Sequence, residues 1–78
     1  MEEDELEAMK FFKDEDRYSF LSDKKLQPNI ISALKRLEQD NTIACAWEQN
    51  QTYPMDCELT EKGFYLREHL KSNVWNKE

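Results

Sequence analysis

The sequence predicts a single small α+β domain that is mostly helical. Three observations predict this class: apolar residues recur at helical spacing in several segments, one segment alternates apolar and polar residues as a β-hairpin does, and a capped helix start follows it directly. At 78 residues the chain has room for one core. The sequence shows no internal repeat and no low-complexity linker, so we expect residues 1–78 to form one domain.

The N-terminal part predicts two helices. The first covers residues 2–13, and its acidic start suits the positive end of the helix dipole. Its inward stripe consists of Leu6, Met9 and Phe12. Phe11 lies off this stripe. The second, shorter helix is predicted over residues 14–23. Its proposed caps and inward residues are Asp14 or Asp16, and Tyr18 and Leu21.

A third helix is predicted over residues 28–40. Pro28 suits the first turn, where its missing N–H costs nothing, and Asn41 can adopt the left-handed conformation that ends a helix. At 100° per residue one face is apolar, formed by Ile30, Ile31, Leu34 and Leu37. The opposite face is polar and consists of Asn29, Ser32, Arg36 and Gln39, with Lys35 beside it.

Residues 43–59 predict a β-hairpin. Its inward-facing residues alternate along two strands: Ile43, Cys45 and Trp47, then Met55, Cys57 and Leu59. A turn centred near Gln51 places Cys45 opposite Cys57. Two cysteines and one histidine do not supply the four ligands of a zinc site, so we expect no metal. We expect two buried free thiols, as is usual in a reducing cytoplasm.

The last helix begins at a cap formed by Thr60, with Glu61 at its first position. Its inward stripe is predicted to be Gly63, Leu66, Leu70 and Val74. Gly63 is the only glycine in the chain, and its place on this stripe predicts a close approach of the first turn to a neighbouring element. A second strip consists of Phe64, Lys71 and Trp75, together with Phe11. It either forms a dimer or partner interface or packs within one monomer.

Composition and motifs exclude several functional classes. The net charge is −6, no apolar run is long enough to span a membrane, and the acidic start is unlike a signal peptide. We therefore expect a cytoplasmic protein without membrane contact. No phosphate-binding loop, dinucleotide fingerprint or nucleophile elbow occurs, and His69 has no nucleophile or metal ligand near it in sequence. We expect no enzyme activity and no cofactor.

Two segments resemble winged helix-turn-helix proteins: the helix bearing Leu34, Leu37, Glu38 and Asp40, which leads into a strand at Ile43, and the strand end Leu-Thr-Glu-Lys-Gly at residues 59–63. The resemblance covers about residues 28–70. The C-terminal residues LTEKGFYL and NVWNKE further resemble small phage and prophage winged-helix proteins of unassigned function, including the YjcQ family.

This resemblance implies that residues 28–40 form a recognition helix that enters the major groove of double-stranded DNA. The DNA-binding residues it implies are Asn29, Ser32, Lys35, Arg36 and Gln39. The protein would be a small transcriptional regulator, and in such proteins the first and last helices often build a homodimer. The hairpin would be the wing, although its tip, EQNQTYP, lacks the Lys or Arg that many wings bring to phosphates.

A second hypothesis is an acidic protein-interaction module of the same fold, which binds a host or phage protein. Such a module would not bind DNA, or it would mimic the negative charge of DNA. The wing without basic residues favours this module, whereas Arg36 and Lys35 on a polar helix face favour DNA binding.

Overall fold

Periodic apolar residues and short turns divide the chain into helices and strands. The computed structural model describes residues 1–20, 26–49 and 54–77. These residues contain three α-helices and three β-strands: α1 (Glu3–Met9), β1 (Arg17–Ser19), α2 (Pro28–Gln39), β2 (Ile43–Trp47), β3 (Pro54–Leu59) and α3 (Glu61–Asn73). Short 3₁₀ turns, Lys10–Phe12 and Trp75–Lys77, extend α1 and α3.

The three strands form an antiparallel sheet in the order β1-β3-β2, so β3 is the central strand. Tyr18 of β1 and Cys45 of β2 both lie opposite Cys57. A register shift between Ala46 and Trp47 places Trp47 opposite Pro54. The hairpin is therefore confirmed, and the predicted register of its two cysteines is confirmed with it.

The core lies between one face of this sheet and the helices. Its large, fully buried side chains include Met9, Phe12, Phe20, Leu34, Leu37 and Ile43. They come from α1 and its 3₁₀ extension, the end of β1, α2 and β2, so every layer contributes to one apolar cluster. The predicted stripe of the first helix is confirmed, since Met9 and Phe12 are buried and Leu6 packs against the cluster.

Helix α2 forms as its sequence predicts. Pro28 occupies the first turn, and the apolar stripe faces the core, with Ala33 added to it. Asn41 has φ 63°, the left-handed conformation that stops the helix, and Thr42 N then donates to the Leu37 carbonyl at 2.9 Å. The chain can therefore turn at once into β2.

The start of α3 is fixed against this turn. Thr60 is the N-cap, and its Oγ1 accepts a hydrogen bond from Gly63 N at 3.1 Å. The Thr42 carbonyl accepts from Thr60 N at 3.2 Å and from Thr60 Oγ1 at 2.9 Å. Lys62 Nζ also donates to the Asp40 carbonyl at 2.7 Å. Four backbone segments thus meet here: the end of α2, the start of β2, the end of β3 and the start of α3.

Gly63 explains how closely these segments approach. A Cβ on Gly63 would overlap the carbonyl oxygen of Thr42 and would lie 3.1 Å from Leu59 Cδ2. The inward position and close packing expected of this glycine are therefore confirmed. Leu70 of the same stripe is buried and Leu66 is partly buried, but Val74 is 37% exposed, so its inclusion in the stripe was wrong.

Arg67 is buried in place of Val74, being only 7% exposed. Its Nη1 lies within hydrogen-bond distance of three acceptors in the turn between α1 and β1: the carbonyls of Phe12 at 3.2 Å and Glu15 at 3.1 Å, and Asp16 Oδ1 at 2.6 Å. The guanidinium also lies 5.0 Å from the centroid of the Phe64 ring. Buried charge is tolerated here because nearby acceptors and the aromatic face replace water.

The helix predicted over residues 14–23 is wrong where the structure describes it. Arg17–Ser19 is a strand, and hydrogen bonds from Leu59 N to the Asp16 carbonyl and from Phe20 N to the Met55 carbonyl, both 2.8 Å, continue its pairing with β3. Tyr18 is partly buried, as predicted, but it projects from a strand. The predicted inward position of Leu21 lies outside the described residues. Sheet pairing outweighed local helix propensity here.

The expectation of two free thiols was also wrong. Cys45 and Cys57 are joined by a disulfide, with their Cα atoms 4.1 Å apart. Cys57 is fully buried on the central strand, whereas Cys45 is only partly buried on the edge strand β2. The register that the sequence predicted therefore brings the two sulfur atoms within bonding distance.

Gly63→Ala should destabilise the protein, although alanine normally stabilises a helix interior by about 1 kcal/mol over glycine. The new Cβ must displace the Thr42 carbonyl, and overpacking of this kind costs about 1–3 kcal/mol. Thermal and urea unfolding followed by circular dichroism measure the change in the free energy of unfolding. Ser72→Ala on the exposed face of the same helix is the control and should change it by less than about 0.5 kcal/mol. A Gly63→Ala variant as stable as that control would contradict the close approach.

Candidate nucleic-acid interface

Helix α2 presents one exposed polar face because its opposite face is buried in the core. Its spacing of three or four residues keeps the exposed side chains in one row. All five predicted DNA-binding residues are exposed: Asn29, Ser32, Lys35, Arg36 and Gln39. We refer to these five residues as the α2 face.

The five side chains differ in what they contact. Asn29 Nδ2 donates to Asp4 Oδ1 at 3.2 Å, and Lys35 Nζ lies 5.5 Å from the ring centroid of Trp47. Within the described part of the chain, the side chains of Ser32, Arg36 and Gln39 make no hydrogen bond or ion pair. The middle of the α2 face therefore offers a guanidinium, a hydroxyl and an amide to a ligand.

Glu38 fixes the helix that carries this face to the edge of the sheet. Its Oε2 accepts the backbone N–H of Cys45 at 3.2 Å, and its Oε1 accepts the indole N–H of Trp47 at 2.9 Å. One carboxylate thus accepts from two donors on the edge strand β2, one from the backbone and one from a side chain. Hydrogen bonds to an ionised acceptor are stronger than neutral ones, so this link holds α2 to β2.

Charges around the α2 face are mixed. Asp4 of α1 lies at its N-terminal end, beside Asn29, and Asp40 at its C-terminal end pairs with Lys62 at 3.4 Å. The pair involving Asp40 is largely exposed and contributes little to stability. Of the predicted wing tip, residues 50–53 lie outside the described residues, and Glu48 and Gln49 are exposed. Arg36 is thus the central cation of the face.

These side chains match the chemistry of base edges and phosphates. Arginine donates two parallel hydrogen bonds to guanine or to a phosphate, while glutamine and asparagine pair with adenine. Serine can bond to either a base edge or a phosphate. Each such group must be held on a rigid element to discriminate between bases, and the buried face of α2 supplies that rigidity.

The predicted dimer or partner interface does not form one continuous exposed strip. Trp75 is 4% exposed and belongs to the core, and Phe11 is partly buried, 4.9 Å from the Tyr18 ring and 5.1 Å from the Phe20 ring between centroids. Phe64 is 41% exposed and Lys71 is exposed. Packing within the chain therefore accounts for Trp75 and Phe11, and the surface left on α3 is Phe64 and Lys71.

Tyr65 adds to this surface. It is 65% exposed, and its ring meets Phe64 edge to face with centroids 5.8 Å apart. Phe64 also covers the Arg67 guanidinium, so part of its exposure reflects a role in the fold. His69 is exposed, and its Nδ1 lies 3.2 Å from Asn73 Nδ2.

Sequence reasoning missed Glu38 and Arg67 as positioning residues. Glu38 was named only among the residues that resemble winged-helix proteins, and Arg67 was not named. In the structure, each of them connects two elements. A signal was available for Arg67, since at 100° per residue it lies about 40° from Gly63 and about 60° from Leu70, on the buried side of α3. Glu38 gives no such signal, because its partners depend on the sheet edge that lies beside it.

Among the described residues, no group of three or more His, Cys, Asp or Glu side chains is arranged to hold a metal ion. In that same part of the chain, no helix combines the length and apolar character needed to cross a membrane. Comparison of the sequence and structure with protein-family models, curated proteins and solved structures finds no match in any of the three. The function must therefore be inferred from the α2 face itself.

Glu38→Gln should loosen the attachment of α2 to the hairpin. The amide keeps the shape of the carboxylate but turns an NH₂ toward one of two N–H donors, so one hydrogen bond is lost and a donor is left unsatisfied. The free energy of unfolding should fall by about 1–3 kcal/mol. Chemical denaturation measures it, with Glu58→Gln on the exposed face of β3 as the matched control. Equal stability of the two variants would show that Glu38 does not hold these elements together.

Proposed function

We propose that the protein is a small DNA-binding regulator of the winged helix-turn-helix type, as in phages and prophages, and that α2 is its recognition helix. The observation that carries the proposal is the exposed α2 face, on which Arg36, Ser32 and Gln39 have no side-chain partner among the described residues. An arginine left available at the centre of a rigid polar helix face suits a phosphate or guanine ligand.

The arrangement of elements supports this proposal. Helix α2 is followed after a tight turn by a hairpin, and the returning strand β3 pairs with β1 as well as β2. A winged helix has a helix before its wing in this position. The helix predicted over residues 14–23 would precede α2 in a helix-turn-helix. Its described part contains the strand β1 instead, and residues 21–23 lie outside the described residues.

The energetics of such a protein would depend on few phosphate contacts. Arg36 and Lys35 are the cations of the α2 face, and Lys35 already lies over Trp47. Each phosphate neutralised releases counterions and adds about 0.9 to the slope of log affinity against log salt. Binding by one chain should therefore be weak and only moderately dependent on salt. A twofold homodimer, which remains a prediction, would strengthen it by engaging two half-sites.

The second candidate is an acidic protein-interaction module of the same fold, and two observations favour it. Asp4 places a carboxylate at the N-terminal end of the α2 face, where it would repel a phosphate backbone. Phe64 and Tyr65 form an exposed aromatic pair on α3, and aromatic residues are enriched in protein interfaces. The partner on this reading is a host or phage protein with basic and apolar surface.

Arg36→Gln should weaken binding to duplex DNA. Loss of a phosphate or base contact reduces affinity by about tenfold and lowers the salt slope by about 1. Fluorescence anisotropy with a labelled mixed-sequence duplex at several low salt concentrations measures both quantities. Arg17→Gln on β1 is the control for net charge, because Arg17 is an exposed arginine away from the α2 face; it pairs there with Asp56 at 3.1 Å. Equal weakening by both variants would mean that only net charge matters, and no binding by the native chain at micromolar concentration would refute the proposal.

Asp4→Asn tests whether the carboxylate at the N-terminal end of the α2 face opposes DNA binding. The new side chain keeps an oxygen that can accept from Asn29, but it removes one negative charge beside the α2 face. DNA binding at low salt should strengthen by about two- to fivefold, since a like charge near the phosphates is removed. The same anisotropy titration measures this change, with Glu61→Gln on α3 as control. A weakened affinity for DNA would contradict the placement of the duplex against this face.

A further inference from the structure

The two cysteines occupy a position that suits both a disulfide and a pair of thiols. They lie directly opposite each other on neighbouring antiparallel strands, with their Cα atoms 4.1 Å apart. The backbone N–H of Cys45 is bonded to Glu38, on the outer side of β2, and so is not directed across to β3. Such non-hydrogen-bonded pairs bring side chains close together in any antiparallel ladder. Either oxidation state therefore fits the same strand register.

The two sulfur atoms differ in access. Cys57 is fully buried on the central strand, while Cys45 is partly buried on the edge strand. Thiol–disulfide exchange requires a thiolate to reach one sulfur atom of the bond. Attack by a small-molecule thiol therefore favours Cys45, and Cys57 is the buried partner that leaves and later reforms the bond.

Cys45 also lies where the hairpin is attached to α2. Its backbone N–H and the Trp47 indole N–H are the two groups that Glu38 accepts, and Lys35 of α2 lies over the Trp47 ring. Among the described strands, β2 pairs only with β3. Loss of the cross-link would leave β2 held by its ladder to β3 and by the Glu38 bonds, so its edge would open more readily.

We propose that Cys45 and Cys57 form a reversible redox pair that exchanges with small thiols such as glutathione and controls how firmly α2 is attached to the hairpin. In reduction, a thiolate RS⁻ attacks the Cys45 sulfur, the bond to Cys57 breaks, and the Cys57 sulfur leaves with the electron pair and takes a proton. A second thiolate attacks the R sulfur of the mixed disulfide, which releases RSSR and the Cys45 thiolate. In total, two RSH are oxidised to RSSR and the protein disulfide is reduced to two thiols. Oxidised glutathione reverses the sequence.

Conversion of the redox pair does not depend on DNA binding, and it can be measured without DNA. The folded chain is equilibrated in buffers that range from reduced to oxidised glutathione, quenched with acid and alkylated, and the free thiols are counted by mass spectrometry. We expect the disulfide fraction to change across the series while circular dichroism shows a folded protein. The melting temperature should fall by about 10–20 °C on reduction, as expected for loss of a short cross-link.

A second readout tests the link to α2. Hydrogen exchange of the Cys45 amide and the Trp47 indole is followed by NMR in both states, with the Phe20 amide as an internal reference because it bonds to Met55 on the other side of β3. Relative to this reference, both protons should exchange at least tenfold faster after reduction. In the Glu38→Gln variant the cysteines should still convert between disulfide and thiols. The difference in exchange rate between the oxidised and reduced states should be smaller than in the native chain.

Three results would overturn the proposal. The disulfide could persist in excess reduced glutathione while the chain is folded, the reduced chain could unfold, or the exchange ratios could be equal in both states. The first two would identify a purely structural cross-link, and the third a redox pair without effect on α2. A Cys45→Ala/Cys57→Ala double variant is the control that glutathione should not affect. If that variant fails to fold, the glutathione titration of the native chain still decides whether the disulfide is reversible.

Discussion

The carbonyl oxygen of Thr42 is the constraint on which the rest of the structure depends. It accepts hydrogen bonds from the backbone and the hydroxyl of Thr60, and the first turn of α3 presses against it at Gly63. The turn that ends α2 and the cap that starts α3 are thereby held together. Because α2 runs directly into β2 and α3 follows β3, this one contact sets the position of α2 relative to the hairpin.

Two polar side chains extend this constraint to the remaining elements. Arg67 connects α3 to the turn before β1 through the carbonyls of Phe12 and Glu15, and Glu38 connects α2 to the edge strand β2. Both are placed where a buried or edge donor or acceptor would otherwise be unsatisfied, which is costly in a small domain. The α2 face is consequently presented by a helix that is fixed on its buried side, at its end and along the hairpin.

Local patterns in the sequence predicted much of this arrangement. These local features are the stripes of the first helix and α2, the left-handed Asn41, the Thr60 cap and the hairpin register. The longest separation among them is that of Cys45 and Cys57, which are 12 residues apart. Pairing between distant segments was not predicted. The strand at Arg17–Ser19 forms because β3, nearly forty residues later, offers a free edge, and local propensity contains no record of that edge.

The candidate site was likewise predicted where local sequence determines it and missed where distant segments meet. The exposure of Asn29, Ser32, Lys35, Arg36 and Gln39 followed from helical periodicity alone. The contacts of these residues did not follow from periodicity, because Asn29 meets Asp4 and Lys35 lies over Trp47 only through tertiary packing. Tertiary packing also buries Trp75 in the core. The disulfide was missed for a different reason, since the register was predicted but the redox state was inferred from an assumed reducing compartment.

Chemical-shift mapping tests most directly whether α2 is a recognition helix. The ¹⁵N-labelled protein is titrated with a mixed-sequence DNA duplex at low salt, and the amide and side-chain N–H resonances are followed by NMR. We expect shifts concentrated on residues 29–39, including the Arg36 guanidinium and the Gln39 amide, with the Phe64 and Tyr65 amides unaffected. Shifts confined to α3, or no shifts at concentrations well above micromolar, would contradict the assignment of α2 as a recognition helix.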